Sequence, residues 1–190
     1  MIDPAARTVD AILELYLREG NCEYFGEPVT QLEHALQCAH LAAQVNSPED
    51  LVIAALLHDI GHLSAPPDSS SMEGAGVMDH ESIGGAYLRE RGFSEELVDV
   101  IGGHVAAKRY LVARNREYGD KLSEASIVTL RHQGGPMSEA EADEFESQPR
   151  WKEMLRLRIW DDQAKRPGLE VPPLESYRDM MTRHLRQGRG

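Results

Sequence analysis

A histidine and an aspartate stand side by side at the end of an apolar segment, where charged side chains are uncommon. His58 and Asp59 directly follow residues 51–57, a run of apolar residues that predicts a helix buried on all sides. Burying an imidazole next to a carboxylate is costly unless each group finds a partner. A metal ion satisfies both groups at once, so the pair is a candidate metal site.

Three more histidines and one late aspartate could complete such a site. His34, His80 and His104 each lie in a separate predicted helix, and Asp161 lies in a late amphipathic helix. With the first pair they give four imidazoles and two carboxylates, more than one tetrahedral zinc site uses. The set suits two metal ions bridged by one carboxylate. Nitrogen and oxygen donors without thiolate favour iron, manganese or zinc over copper(I) or an iron-sulfur cluster.

Other histidines and acids have simpler interpretations. A lone histidine is usually a core or surface residue whose ring bonds a backbone carbonyl, and His40, His132 and His184 are interpreted in this way. Asp161 could instead form an exposed acidic pair with its neighbour Asp162. Spacing alone leaves that alternative open.

The elements that must hold these residues are predicted to be helices and loops, without a β-hairpin or an internal repeat. Ser47 is expected to cap the buried helix, with Pro48 at its first position and Gly61 as its end. Capping boxes predict helix starts at Thr30 and Ser138. The remaining predicted helices cover residues 11–17, 31–45, 80–90 (capped by Asp79), 118–130, 151–165 and about 175–185, with one after Ser94 that carries His104 and Lys108.

The pattern predicts one all-α domain over residues 1–190, with a core at about 11–165 and a separate C-terminal helix. Residues 64–78 form a loop rich in Pro, Ser and Gly. Its length suits a lid or a binding loop.

Composition limits the possible partners. The formal net charge of −12 disfavours nucleic acid and anionic membranes, which both require clustered Lys and Arg, but permits a small anionic substrate bound by local basic residues. Cys22 and Cys38 lack a CxxC spacing and are expected to be free thiols. With no signal peptide and no spanning segment, we expect a cytoplasmic protein, either a monomer or a weak homodimer.

The order of these motifs resembles a known family. His34, the pair at 58–59 and Asp161 resemble the ligands of the HD-domain superfamily of metal-dependent phosphohydrolases and oxygenases, and His80 and His104 resemble those of its mixed-valent di-iron branch. The segments QLEHALQCA, AALLHDIGH, HVAAKRYLV, QGGPM and IWD resemble the PhnZ family of phosphonate-cleaving oxygenases, relatives of myo-inositol oxygenase. The likeness spans residues 24–161 and implies an HD-domain helical bundle.

The resemblance implies two iron ions in a mixed-valent Fe(II)/Fe(III) state, with O2 as co-substrate. Asp59 would bridge the two. The first iron would be held by His34, His58, Asp59 and Asp161, and the second by His80, His104 and the bridging Asp59.

The resemblance also implies a phosphonate site. Lys108, one helical turn after His104, would bind an anionic oxygen of the substrate. Arg158 lies on the same helix face as Asp161, which supports its place in the pocket independently. The remaining phosphonate contacts would be His62, Ser126, Thr129, Gln133 and Arg158. Without the resemblance, Lys108 and Arg158 would be surface charges, and Ser126 and Thr129 ordinary helix residues.

Four residues would take part in catalysis, namely Tyr24, Glu27, His62 and Lys108. Tyr24 and Glu27 resemble a mobile pair in which Tyr24 occupies an iron position until substrate displaces it. Glu27 would then accept a hydrogen bond from a substrate ammonium. The alternative is a packing aromatic and a solvated acid before Pro28.

The implied reaction converts 2-amino-1-hydroxyethylphosphonate to glycine and phosphate. A trimethylammonium analogue, giving glycine betaine, would need an aromatic pocket. The chain has few aromatic residues to offer there, which favours the primary amine. The competing class is an HD phosphohydrolase with nearly the same ligands, in which the metals activate water. A ligand sensor with a degenerate site is disfavoured because no ligand position is missing.

Overall fold

A computed structural model describes residues 3–188. Over that range the chain forms twelve α-helices, one 3-10 helix and one small sheet, which confirms the predicted all-α class. The helices are α1 (Pro4–Glu19), α2 (Gln31–Gln44), α3 (Glu49–Leu57), α4 (Ile60–Ser64), α5 (His80–Arg89), α6 (Glu95–Gly102), α7 (His104–Arg114), α8 (Arg116–Gly119), α9 (Glu124–His132), α10 (Glu139–Ser147), α11 (Trp151–Gln163) and α12 (Arg178–Gln187), with the 3-10 helix at Leu174–Tyr177 and strands β1 (Glu23–Tyr24) and β2 (Glu27–Thr30).

Both predicted capping boxes form. In α2 the Glu33 N–H donates to Thr30 Oγ1 at 3.1 Å, while the Thr30 N–H donates to the Glu33 carboxylate at 2.7 Å. Ser138 and Glu141 make the same reciprocal bonds at the start of α10. These caps satisfy backbone donors that a helix start leaves free, so both helices begin where the sequence indicates.

The central helix differs from its prediction at both ends. Pro48 is the N-cap rather than the first helical residue, and Ser47 makes no cap. The helix ends at Leu57, so His58 and Asp59 lie in a turn before α4 rather than inside one helix. Successive residues of a helix point about 100° apart. The change in backbone direction at Asp59 (φ −101°, ψ 10°) lets both side chains face the same side.

Two other predicted helices are each divided in the structure. The helix carrying Lys108 is broken at Gly103, so His104 is the first residue of α7. The predicted helix 118–130 is wrong as a single element, because α8 ends at Gly119 and Ser123 caps a new helix, α9. Asp79 likewise makes no side-chain cap before α5 and instead has a left-handed backbone.

The outer segments were also predicted incompletely. α1 begins at Pro4, where Asp3 accepts a hydrogen bond from the Ala5 N–H at 3.0 Å, seven residues before the predicted start. The C-terminal segment begins as a 3-10 helix and becomes α-helical at Arg178.

The exclusion of a β-hairpin was wrong. Strands β1 and β2 pair antiparallel around the two-residue turn Phe25-Gly26, where both residues have positive φ, 37° and 79°. Such turns usually carry Asn-Gly or Asp-Gly, because a side chain at positive φ is strained. A phenylalanine at the first position therefore hides the turn from sequence patterns.

The helix α3 forms the centre of the hydrophobic core. All of residues 51–57 are buried, and α2, α6, α11 and α12 pack around them. Tyr16 of α1 donates from its hydroxyl to the Leu56 carbonyl at 2.7 Å, which ties α1 to the end of this helix. No described helix is both long and apolar enough to cross a membrane.

Two glycines bring α4 against α5. A Cβ on Gly61 would clash with the backbone carbonyl of His80 and would lie 2.9 Å from the Gly84 nitrogen. Only glycine permits this separation. The close approach places the start of α5, and with it His80, next to the turn at 58–59.

Candidate metal centre and substrate pocket

The structure brings all six predicted metal ligands to one place. Two of them are supplied by the turn after α3, two by the starts of α5 and α7, and two by the interiors of α2 and α11. Each is at most 5% exposed. They are His58, Asp59, His80, His104, His34 and Asp161.

The imidazoles form two pairs, and Asp59 lies between them. His34 Nε2 is 3.2 Å from His58 Nε2, and His80 Nε2 is 3.1 Å from His104 Nε2. Asp59 Oδ2 lies 3.6 and 3.3 Å from the first pair of nitrogens, and Oδ1 lies 3.3 and 3.5 Å from the second. One carboxylate therefore faces two separate donor sets.

Backbone carbonyls determine which ring nitrogen of each histidine is free. The Nδ1 atoms of the four rings lie 2.6–3.3 Å from carbonyl oxygens of the chain. A carbonyl can only accept, so each Nδ1 carries a proton and each Nε2 faces the centre. Two Nε2 atoms only 3.1–3.2 Å apart need a shared cation, either a proton or a metal ion. The donor set thus fits two metal ions.

The charges of the cluster support the same fit. Burial raises the pKa of the Asp59 carboxyl, but the His58 imidazole outweighs burial and holds that pKa well below its usual range. Against burial, Arg158 likewise holds the pKa of Asp161 well below its usual range. Burial and the nearby His80 lower the pKa of His104 to about 3, so its ring is neutral. Burial lowers the pKa of the His58 imidazole, but Asp59 outweighs burial and holds that pKa well above its usual value, so His58 carries a proton that a metal ion would replace. The two buried carboxylates thus form a centre that attracts cations.

A pocket opens beside this cluster and contains every predicted substrate contact. Its interior has a volume of about 40 Å³, room for roughly three water molecules. Besides four cluster residues, Asp59, His80, His104 and Asp161, its wall contains Tyr24, Glu27, His62, Lys108, Ser126, Thr129, Gln133 and Arg158, together with Phe25, Met72, Ala75, Ala125 and Lys165.

Two buried cations lie at the inner end of the pocket. Lys108 is 2% exposed and donates from Nζ to Thr129 Oγ1 at 2.7 Å. Burial and the neighbouring Arg158 lower the pKa of Lys108 to about 7. Arg158 bonds Asp161 Oδ2 at 2.7 Å and also bonds Asp162. Neither cation is a surface charge, and Asp162 is a partner of Arg158 rather than half of an exposed acidic pair.

The hairpin β1–β2 covers the metal centre. Tyr24 donates from its hydroxyl to Asp59 Oδ2 at 2.9 Å, and its ring stacks on His34 with centroids 3.9 Å apart. Burial and Asp161 raise the pKa of the Tyr24 hydroxyl well above its usual value, so the group stays protonated. Glu27 at the other strand is joined to Lys165 by an ion pair of 2.8 Å.

A group of stacked and edge-on rings forms another part of the pocket wall. The His62 ring stacks on His80 with centroids 4.0 Å apart, and Phe25 meets its edge at 4.6 Å. His62 Nδ1 accepts the N–H of Val77 at 3.1 Å. The pocket wall therefore has two aromatic side chains, Tyr24, which the sequence predicted, and Phe25, which it did not.

Gln133 contributes a polar atom without a partner. Its Oε1 is buried and forms no hydrogen bond within the described part of the chain. Buried polar groups are normally paired, so this amide is available to a bound molecule.

Sequence reasoning missed Lys165 and Phe25. Lys165 follows Asp161 by four residues and Arg158 by seven, the spacing that keeps side chains on one helix face, and this signal could have identified it. Phe25 has no such signal, because its position depends on the unusual turn. The three other histidines lie outside the cluster; His132 approaches Glu73, and His184 accepts the Ser94 N–H.

Comparisons with known proteins agree with this arrangement. The family described as HD domain matches residues 32–151. An uncharacterized protein of Acanthamoeba polyphaga mimivirus is 44% identical over 94% of this chain and 82% of its own length. A glycine-betaine-forming 1-hydroxy-2-(trimethylamino)ethylphosphonate dioxygenase of Leisingera caerulea is 42% identical over 92% of this chain and 89% of its own. The hydroxymethylphosphonate dioxygenase of Gimesia maris is 42% identical over 89% of this chain and 84% of its own.

Proposed function

This chain belongs to the HD-domain family, and from that premise we propose that it is an iron-dependent dioxygenase that cleaves the carbon–phosphorus bond of a 1-hydroxyphosphonate. The observation that carries the proposal is Asp59, whose two oxygens face two separate pairs of imidazole nitrogens. Two relatives with this degree of identity are named as phosphonate dioxygenases.

The six clustered side chains would hold two iron ions. His34, His58 and Asp161 would bind one ion, His80 and His104 the other, and Asp59 both. When bound, the iron pair would supply the redox chemistry that activates O2 against a carbon–hydrogen bond. Nitrogen and carboxylate donors without thiolate are the ligands typical of such non-haem sites.

The chain's own cations would bind the phosphonate. Lys108 and Arg158 lie within the pocket wall next to the cluster, where burial strengthens their attraction for a dianion. Thr129 and Ser126 add hydroxyl donors, and the Gln133 amide can turn its N–H to the same anion. These groups fix the phosphorus end and therefore orient the adjacent carbon toward the metals.

The hairpin residues would recognise the other end. Glu27 is anionic and can accept hydrogen bonds from a primary ammonium. The Tyr24 hydroxyl occupies one face of Asp59 in the pocket and would leave that bond when the substrate enters. That movement frees the face of the cluster that the tyrosine hydroxyl covers.

The favoured substrate is 2-amino-1-hydroxyethylphosphonate. With one O2 it contains all the atoms of glycine and phosphate, so oxidation of the carbon and cleavage of the C–P bond need no external reductant. Burial and His80 hold the pKa of His62 well below its usual value, so the ring is neutral; because its Nδ1 accepts the Val77 N–H, its Nε2 carries the proton and can donate to the substrate.

The trimethylammonium analogue is the second candidate. The rings of Tyr24 and Phe25 in the pocket wall favour it, because aromatic faces attract quaternary ammonium groups. The relative from Leisingera caerulea is named for that substrate. The hydrogen-bonding carboxylate of Glu27 favours the primary amine.

Oxygen dependence distinguishes this proposal from a phosphohydrolase. Iron-loaded protein is mixed with 2-amino-1-hydroxyethylphosphonate in air and under argon, and O2 uptake, glycine and phosphate are measured. We expect one O2 consumed per phosphate and no phosphate under argon. Phosphate released equally under argon, or from a phosphate monoester alone, would contradict the proposal.

The matched control is a surface substitution. Lys152→Met changes an exposed charge on α11 and should leave the stoichiometry unchanged, because its side chain only approaches the Trp151 ring.

A further inference from the structure

Lys165 follows the end of α11 and points into the pocket wall. Its Nζ donates to Glu27 Oε1 at 2.8 Å and lies 3.3 Å from both Ser123 Oγ and Ser126 Oγ. Three acceptors match the three donors of an ammonium group. The side chains of Lys165 and Glu27 are only 14% and 12% exposed, so water screens the ion pair weakly.

The pair leaves one oxygen of Glu27 for a ligand. Oε1 bonds Lys165, whereas Oε2 forms no hydrogen bond within residues 3–188, and both residues line the pocket. Lys165 therefore fixes the rotation of the carboxylate as well as its charge. A free carboxylate in this position could turn either oxygen in any direction and would keep its full negative charge.

Among the basic side chains that line the pocket, Lys165 is the one bonded to Glu27. Lys108 bonds Thr129, and Arg158 bonds Asp161 and Asp162, so neither is bonded to Glu27. α11 thus supplies Arg158 to the phosphonate site and, just beyond its last turn, Lys165, which lies between Glu27 and Ser126.

We propose that Lys165 is a specificity-determining residue that sets how strongly the pocket prefers a cationic over a neutral substrate end. The inference rests on the proposed function. Paired with Lys165, Glu27 carries little net charge toward the ligand, and the preference for an ammonium comes from the hydrogen bond to Oε2. Without Lys165, the whole carboxylate charge acts on the ligand. The pairing thereby keeps neutral 1-hydroxyphosphonates acceptable.

Two isosteric ligands measure this preference. 2-Amino-1-hydroxyethylphosphonate has an ammonium where 1-hydroxypropylphosphonate has a methyl group. Their dissociation constants are measured by calorimetry on iron-loaded protein under argon, so that binding is separated from turnover. The proteins are wild type, Lys165→Met, Lys165→Arg, Glu27→Gln and the surface control Lys152→Met, each checked by thermal melting.

We expect Lys165→Met to shift the ratio of the two dissociation constants at least about tenfold toward the cationic ligand, which corresponds to about 1.4 kcal/mol. Lys165→Arg keeps the charge and should restore the wild-type ratio. Glu27→Gln leaves Lys165 unpaired and should shift the ratio the opposite way. Lys152→Met should not change it.

If Lys165→Met leaves the ratio of the two dissociation constants unchanged, the inference is overturned. If Lys165→Met does not fold, an unchanged ratio in Glu27→Gln overturns it. In either case, oxygen-dependent phosphate release by the wild-type protein would still support the proposed function. If wild-type protein binds neither ligand and releases no phosphate in air, the proposed function itself fails, and this inference with it.

Discussion

The metal centre and the segments that cover it are built in opposite ways. Every histidine of the centre is held by a backbone carbonyl, and four of its six ligands lie within helices or at helix starts. The cover consists of the hairpin 23–30 and the loop 65–78. It holds its conformation through a two-residue turn, one isolated bridge and several residues with positive φ.

This difference assigns distinct tasks to the two regions. The ligands must keep their positions whether or not a substrate is bound, because displaced ligands would lose the metals. The cover contacts the centre through single side chains, such as the Tyr24 hydroxyl on Asp59, and can exchange those contacts for a ligand. Substitutions in the centre should therefore remove metal, and substitutions in the cover should change substrate affinity alone.

The largest effect is expected at the bridging carboxylate. Within residues 3–188, Asp59 is the only side chain that faces both imidazole pairs, so we expect Asp59→Ala to reduce activity to background and bound iron to below two per chain. Elemental analysis and phosphate release measure both. Two irons retained with full activity would show that another group provides the bridge.

The next largest effect is expected where α4 meets α5. In Gly61→Ala the new methyl group would overlap the His80 carbonyl, so α5 must move and take His80 with it. We expect the free energy of unfolding to fall by about 3 kcal/mol, the upper range for overpacking a core. Chemical denaturation and iron content measure the change.

Gly102→Ala is the matched control for that experiment. Gly102 is also helical, but a Cβ there meets nothing within 4 Å. The free energy of unfolding of Gly102→Ala should be unchanged or slightly higher, because alanine has a higher helix propensity than glycine. Equal losses in the two variants would indicate a general effect of removing glycine rather than the contact with His80.

Much of the metal centre could be predicted from sequence because the patterns that indicate it, an apolar run and helix caps, involve residues close together in the chain. The apolar run at 51–57 identified the buried helix, and the Thr30 and Ser138 caps marked their helix starts correctly. A histidine and an aspartate at the end of a buried helix need partners whatever the rest of the fold. The spacing alone, however, did not decide whether Asp161 is a metal ligand or half of an exposed acidic pair. Its bond to Arg158 became evident only in three dimensions.

The cover could not be predicted because its contacts are long-range. Glu27 and Lys165 are 138 residues apart in sequence, and no periodic pattern connects them. Phe25 adopts a turn conformation that sequence rules assign to asparagine or glycine. The breaks at Gly103 and after Gly119 were also missed, since helix patterns continue through short turns.

A smaller effect is expected from pH at the phosphonate end. Burial and Arg158 lower the pKa of Lys108 to about 7, so the ammonium is charged below that pH and neutral above it. A charged lysine attracts the dianion. We therefore expect kcat/KM to fall by up to about tenfold per pH unit as pH rises above 7.

Lys108→Arg tests that cause, because a guanidinium stays charged throughout the range. Whatever the absolute activity of Lys108→Arg, its kcat/KM should not decline as the pH rises above 7. The surface variant Lys152→Met should show the same decline as the wild type. A decline of equal steepness in the arginine variant would assign the titration to another group.

The smallest effect is expected in the cover, at Gly76. Its φ is +109°, and an added Cβ would lie 2.7 Å from His62 Cε1 and 3.1 Å from Phe25 Cε2. Gly76→Ala should displace the loop from these rings and raise KM a few-fold, with iron content and kcat unchanged.

Gly74→Ala is the matched control. It introduces the same kind of backbone strain, with φ +85°, but its added Cβ meets nothing within 4 Å. It should lose similar stability, of order 1–3 kcal/mol, without the change in KM. A loss of iron in Gly76→Ala would mean that the cover also supports the metal centre, and the division between the two regions would then fail.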